Sequence, residues 1–328
     1  VSRRVLVTGG QGFIAGRLVR ELLERGDEVV VLDLPDPPAR GLEVAGLADE
    51  VELVEGSVSD PAAVSRAGEG ADTVFHLAAV TLVGPAAADP AGTFRANVEG
   101  TWTVMERARR GGAEAVVVAS SDKAYGPSPE LPYREGQELR PASPYEGSKA
   151  AADVIARSYW KAFGLPVGVT RLANVYGGGD LNGSRLMPEL ITAMLAGRSP
   201  VIRSDGSPER DFLHVSDAAA AYLAIEEAVR SGPGRGEALN AGTGAPQSVR
   251  TLVELAAEAV VAAGGPGTAG PPEPRFEGSG VPEGEIDRQY VDASRLRQLT
   301  GWAPAVPLED GIAEAVRWYR EHPGLVSG

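Results

Sequence analysis

The chain has 328 residues, 43% hydrophobic and 23% charged, the balance of a folded globular protein long enough for two packed domains. Its formal charge of −14, from 31 basic and 45 acidic side chains, opposes a broad phosphate-backbone surface and argues against nucleic acid as a partner. Cysteine is absent, which excludes disulfides and thiolate metal sites, and His76, His214 and His322 are too scattered to suggest a histidine cluster, so no metal is expected.

No apolar run approaches the ~18 residues of a membrane span. Residue 1 leads directly into strand-prone sequence with no signal peptide, so a soluble cytoplasmic protein is the expectation.

Arg4-Val5-Leu6-Val7-Thr8 predicts a strand that feeds Gly9-Gly10-Gln11-Gly12-Phe13-Ile14-Ala15-Gly16. Leu18, Val19, Leu22 and Leu23 then recur at helical spacing up to Gly26, and residues 28–33 predict a second strand ending in Asp33. Strand, glycine turn, helix and strand with a terminal carboxylate is the context of a dinucleotide site. Gly9 permits the tight turn, Gly12 lets backbone approach a pyrophosphate, and Ala15 takes the position of a third glycine. Asp33 would accept from both hydroxyls of an adenosine ribose and repel a 2′-phosphate, which favours NAD over NADP.

Alternating elements continue: a strand at 51–55, a helix at 60–67 and a strand at 72–77 that ends His76-Leu77-Ala78-Ala79. Small residues at Ala78 and Ala79 leave room for a cofactor over the strand ends, although core packing explains them equally well. A long helix is expected at 90–110, a strand at 114–119, a helix from Tyr145 to Phe163 and a strand at 166–171. Repeated β-α units of this length predict an α/β fold, a Rossmann-like doubly wound parallel sheet.

Beyond Arg171 the pattern changes. Asn174-Val175-Tyr176-Gly177-Gly178-Gly179-Asp180 is a glycine-rich exit from the sheet, and Leu186, Leu190, Met194 and Leu195 form a helical stripe. Short strands are expected at 201–203 and 209–215, helices at 216–230, 249–263 and up to 299, and a last amphipathic helix at 308–321. Gly264 to Pro282 reads as a loop. The expected division is an NAD-binding domain at 1–173 and a smaller substrate domain at 174–328, with some later segments returning to the first.

The chemistry concentrates between Ser120 and Lys149. Ser121 follows a sheet strand, where ligand crevices open in such folds. Tyr145 and Lys149 are one helical turn apart. A phenol of pKa ~10 is a poor base at neutral pH. An ammonium roughly 5 Å away, at an effective dielectric of about 20, would favour the phenolate by ~3 kcal/mol, about two pK units. Lys149 is therefore expected to make Tyr145 a usable proton acceptor.

Taken together, these motifs resemble the extended short-chain dehydrogenase/reductases, the NAD-dependent nucleotide-sugar epimerase/dehydratase family. The resemblance runs through Thr8 to Ile14, His76 to Ala79, Asn97-Val98-Glu99-Gly100-Thr101, Ser120 to Gly126, Ser143 to Lys149, Asn174 to Gly177, Arg210-Asp211-Phe212 and Gly301-Trp302. Two departures stand out: Gly-Phe-Ile-Ala-Gly at 12–16, where the family has Gly-Phe-Ile-Gly-Ser, and Ser57 where it has an aspartate near the adenine. The resemblance implies NAD held by Gly9, Gly12, Phe13, Ile14, Asp33, Ser57, Val58, Leu77, Ala78, Ala79, Asn97, Tyr145 and Lys149. It implies a nucleoside diphosphate hexose held by Asn174, Arg185, Leu186, Val201, Arg203, Arg210 and Arg288, with the two last-named arginines on the diphosphate. It also implies a homodimer through the helices that carry Trp102 and Tyr145.

In this family Tyr145, with Lys149 and Ser121, would oxidise a sugar at C4. The local motif Ser121-Asp122-Lys123-Ala124-Tyr125 looks most like the CDP-glucose 4,6-dehydratase branch, with Asp122 as acid, requiring a raised pKa, and Lys123 as base, requiring a lowered one. The alternatives are a 4-epimerase, with Asp122 and Lys123 paired to each other, and a non-catalytic NAD-binding regulator, which the intact Ser-Tyr-Lys set disfavours.

Overall fold

The computed structural model describes residues 2–265, 273–278 and 286–326. The first half alternates strand and helix: β1 (Arg4–Thr8), α1 (Phe13–Glu24), β2 (Glu28–Asp33), α2 (Gly41–Val44), β3 (Glu52–Glu55), α3 (Pro61–Ala67) and β4 (Thr73–His76). It continues through α4 (Val83–Ala88), α5 (Pro90–Phe94), α6 (Gly100–Gly111), β5 (Ala115–Ser121), α7 (Pro144–Phe163) and β6 (Val167–Leu172). The second half contains β7 (Asn174–Tyr176), α8 (Leu186–Leu195), β8 (Val201–Ile202), β9 (Glu209–Arg210), β10 (Phe212–His214), α9 (Val215–Ser231), β11 (Ala238–Ala241) and β12 (Gln247–Ser248). After these come α10 (Val249–Ala262), β13 (Arg275–Phe276), β14 (Arg288–Gln289), α11 (Ser294–Thr300) and α12 (Leu308–Glu321).

Seven strands in the order β3-β2-β1-β4-β5-β6-β11 make one sheet, parallel at every pairing. Alternate side chains of one strand supply different faces. Val5 and Val7 join Leu18 and Leu22 of α1 and Tyr222 and Ile225 of α9, whereas Leu6 joins Val64 of α3 and Met105 of α6. A strand buried on both faces shows no polar alternation, which is why these segments read as unbroken apolar runs. A third core, built from α8, α10 and α12, underlies the second half.

The chain crosses back over the expected boundary at 173. α9, β11 and α11 all pack into the first core, and β11 completes the sheet. That strand, Ala-Leu-Asn-Ala, is absent from the sequence expectation, as is α4. The expected helix at 90–110 is interrupted by a π-helical turn at Arg95–Glu99. The expected strand at 209–215 is divided at Asp211, whose carboxylate accepts bonds from Thr243 N, Thr243 Oγ1 and Gly244 N. Of the expected loop at 264–282, residues 266–272 and 279–282 lie outside the described residues.

One buried ion pair ties the sheet to the turn that follows β5. Arg171, only 1% exposed, donates to Asp153 Oδ2 (2.8 Å) and to the Tyr125 hydroxyl (2.8 Å), and its guanidinium lies 4.8 Å from the Tyr125 ring centroid. Tyr125 stacks on Tyr133 at 4.7 Å and ends the 3₁₀ turn Asp122–Tyr125. Removing one partner of such a pair strands a charge in the interior. Asp153→Ala is therefore expected to destabilise the fold by ~3–5 kcal/mol in denaturant unfolding; a loss below ~1 kcal/mol would show that Arg171 finds water or another partner.

Candidate active site

The glycine turn lies where β1, β2 and β4 end. Gly9 has φ +70°, and a Cβ there would sit 2.7 Å from Ala78 Cα, so only glycine lets the turn rest against the backbone that follows β4. Gly10 is packed as tightly against Val31, a contact absent from the sequence reading. A Cβ on Gly12 would meet only the Gly9 carbonyl, at 3.1 Å. Gly12 caps α1 with no side-chain bond and no acid follows in the first turn, so the positive end of the helix beginning Phe13-Ile14 is left for an anion.

Asp33 accepts from Gln11 N and Leu34 N (2.8 Å each), and burial raises its pKa above the ordinary value. Ser57, after β3, accepts from Ser59 N; Val58 is buried against Gly100; Leu77, Ala78 and Ala79 are half-buried at the end of β4. These residues lie around the glycine turn at the strand ends, the cradle where the sequence places a dinucleotide. Asn97 has its amide engaged elsewhere: Oδ1 accepts from Val80 N (2.7 Å), and Nδ2 donates to Val80 O and Ser148 Oγ. It clamps the loop after β4 to α7.

Beside the cradle, the end of β5, the 3₁₀ turn Asp122–Tyr125 and the first two turns of α7 carry Ser121, Asp122, Lys123, Tyr145 and Lys149. Ser143 caps α7 and Pro144 occupies its first turn, which fixes where Tyr145 begins. Ser121 lies close enough to the Tyr145 hydroxyl to lower its pKa. Ser121 Oγ also donates to Asp122 Oδ1 (3.0 Å) and accepts from Lys123 N (3.2 Å).

The lowering of the Tyr145 hydroxyl expected from Lys149 is not what dominates its shift. Lys149 Nζ donates to Ala119 O (3.0 Å), and burial lowers its own pKa to about 8. Burial raises the Tyr145 hydroxyl to about 12, outweighing the lowering by Ser121 and Arg185, while Asp122 and Glu146 add to the rise. Desolvation penalises both charged forms at once, an effect that the helical spacing alone does not report.

Asp122 is 1% exposed. Burial raises its carboxyl to about 6 against lowering by Lys123, the Ser121 hydrogen bond and Arg210, and Asp211 adds a smaller rise. Its Oδ2 has no hydrogen-bond partner among the described residues. Lys123 does not close on it: the ammonium donates to Gln289 Oε1 at 3.3 Å.

The substrate-side residues divide. Arg185 donates to Asp180 Oδ2 (3.1 Å) and Thr81 Oγ1 (3.0 Å), spanning the loops after β7 and β4, and acts on Tyr145 electrostatically. Arg210 donates to the carbonyls of Glu209 and Asp287 and reaches Asp122 through its field. Asn174 lies half-buried in β7 beside Asp211. Leu186 and Val201 are half-buried, and Arg203 is exposed. The Arg288 side chain is 52% exposed, paired with Glu209 and stacked on Tyr290, while the next residue, Gln289, faces the cluster. Period-two alternation in a strand predicts that opposition, and the sequence reading did not use it.

A parallel doubly wound sheet with a dinucleotide cradle and a Ser-Tyr-Lys set beside it defines an NAD-dependent enzyme. The model of the NAD dependent epimerase/dehydratase family matches residues 5–242, and the chain belongs to that family. It is 35% identical to a dTDP-glucose 4,6-dehydratase of Streptomyces griseus, covering 98% of this chain and 95% of that one. It is 36% identical to a UDP-glucose 4-epimerase of Mycolicibacterium smegmatis, covering 97% and 98%. A dTDP-glucose 4,6-dehydratase of Streptomyces venezuelae, solved with NAD bound, superposes with a TM-score of 0.88 at 30% identity over 99% of both chains. These relatives carry dTDP- and UDP-glucose in their names, whereas the local motifs pointed to CDP-glucose.

The raised carboxyl has a consequence for stability. The unfolded chain releases the Asp122 proton near the ordinary carboxyl pKa of ~3.9 and the folded chain near 6, so folding is penalised increasingly as pH rises through that window. Asp122→Asn removes the penalty. It is expected to raise the melting temperature at pH 8 and to change it little at pH 4; an equal shift at both would show that the Asp122 charge is not the cause.

Proposed function

We propose that the protein is an NAD-dependent nucleotide-sugar 4,6-dehydratase, converting a nucleoside diphosphate hexose to its 4-keto-6-deoxy form with release of water. The observation that supports this reading is a buried carboxyl, raised to about 6, hydrogen-bonded to Ser121 and adjacent in sequence to a lysine. C4 oxidation alone requires only the serine, tyrosine and lysine, so an added acid and base suit an elimination.

In this reading Ser121 holds the C4 oxygen and Tyr145, in its phenolate form, takes the C4 hydroxyl proton, with Lys149 one helical turn away to favour that form. NAD held in the cradle would supply the hydride acceptor for the oxidation and the hydride donor for the later reduction. The ketone at C4 makes the C5 proton acidic, and Lys123 removes it. Asp122, protonated, gives its proton to the C6 hydroxyl, which departs as water. The hydride ends on C6 and a proton on C5, so the product is the substrate less one water. Arg210 serves the diphosphate, with Arg288 at the rim; Asn174, Arg185, Leu186, Val201 and Arg203 line the remainder of the substrate site. The cradle residues named above hold NAD, with Asn97 acting through the loop it clamps.

A cytoplasmic homodimer completes the proposal. Trp102 on α6 is 46% exposed, and Val154 and Phe163 on α7 are 56% and 60% exposed, an apolar face suited to a second copy. Among the described residues no helix is long and apolar enough to cross a membrane.

The 4-epimerase reading draws on the relative in Mycolicibacterium smegmatis. Incubation of the NAD-loaded protein with dTDP-, UDP-, CDP- and GDP-glucose separates the two. Dehydration gives a product lighter by one water; an isobaric product inverted at C4 would replace this proposal with epimerisation. Lys123→Ala is expected to slow elimination by roughly 100-fold or more while NAD stays bound, and undiminished turnover would remove Lys123 from the chemistry.

A further inference from the structure

Gln289 occupies a place that neither the sequence reading nor the proposed chemistry uses. Its side chain is fully buried at the end of β14, and the strand is held by Asp211 N donating to Gln289 O at 3.0 Å. Oε1 accepts from Lys123 Nζ at 3.3 Å, whereas Nε2 has no partner among the described residues. Asp122 Oδ2, on the residue preceding Lys123, is also unpartnered. A buried amide donor left unpaired costs stability unless a partner arrives, so one beside the Asp122–Lys123 turn marks a place for a ligand oxygen.

We propose that Gln289 is a sugar-binding residue: Oε1 holds Lys123 in the cleft while Nε2 donates to a hydroxyl or ring oxygen of the hexose. This rests on the reading that the site takes a nucleotide sugar, but not on which reaction follows. The neutral amide suits a sugar oxygen, while the arginines nearby suit the diphosphate. Position agrees. Gln289 meets Lys123, two residues beyond Ser121, whose hydroxyl bonds Asp122 Oδ1, and so lies toward the reacting end. Arg288, its neighbour on the opposite face of β14, turns outward to Glu209.

The test uses NAD-loaded protein in a Tyr145→Phe background, where substrate is not consumed. dTDP-glucose and UDP-glucose are titrated, each against its own nucleoside diphosphate. Gln289→Met is expected to weaken the sugar nucleotide that the Tyr145→Phe protein holds more tightly by about tenfold, leaving the diphosphate alone unchanged. Gln289→Glu keeps an acceptor for Lys123 but no donor, and is expected to lose the same affinity. The proposal is overturned if both variants bind the sugar nucleotide like their parent. It is overturned equally if sugar nucleotide and diphosphate weaken in proportion, or if the Glu variant alone keeps full affinity. Melting temperatures close to the parent's establish that each variant is folded. A parent enzyme that epimerises would remove the dehydratase proposal and leave these ratios intact.

Discussion

Desolvation of the Asp122 carboxyl is the constraint on which the site depends. At the surface this side chain would hold almost no proton at neutral pH. Buried beside Ser121, with one oxygen unpartnered, it is raised to about 6. The fold maintains that burial from several directions. β5 delivers the residue to the end of the sheet, and the 3₁₀ turn carries it on to Tyr125. The Arg171–Asp153 pair locks Tyr125 in place. A carboxyl that destabilises the folded state persists because the surrounding structure over-determines its position.

The same desolvation governs the other titrating groups. His76, bonded to Thr8 and Thr101 beneath the cradle, is lowered to about 3 by burial and by Lys149, so it is a neutral core side chain. Tyr145 is a phenol and Lys149 titrates near 8. In such an environment each charge that remains is weakly screened and acts strongly on its neighbours.

Much of this was legible in the sequence because it rests on periodicity and local chemistry. The β1-turn-α1-β2 unit follows from Gly9, Gly12 and Asp33 in their spacing, and the α7 start follows from Ser143-Pro144 ahead of Tyr145. What was not legible depends on partners distant in the chain. β11 is four residues of mild strand preference, and it becomes a strand because β6 offers an open edge. The shift of Tyr145 comes from burial by surrounding elements, which a four-residue spacing does not encode. Gln289 lies 166 residues from Lys123, and only the alternation Arg288-out, Gln289-in gave any local sign of its role.

The central claim is that the acid and base after Ser121 redirect a C4 oxidation into elimination. The most direct test follows the hydrogen itself, with dTDP-glucose or UDP-glucose deuterated at C4 and the product read by NMR. The account predicts that deuterium from C4 appears in the C6 methyl group. Deuterium retained at an inverted C4 would contradict it.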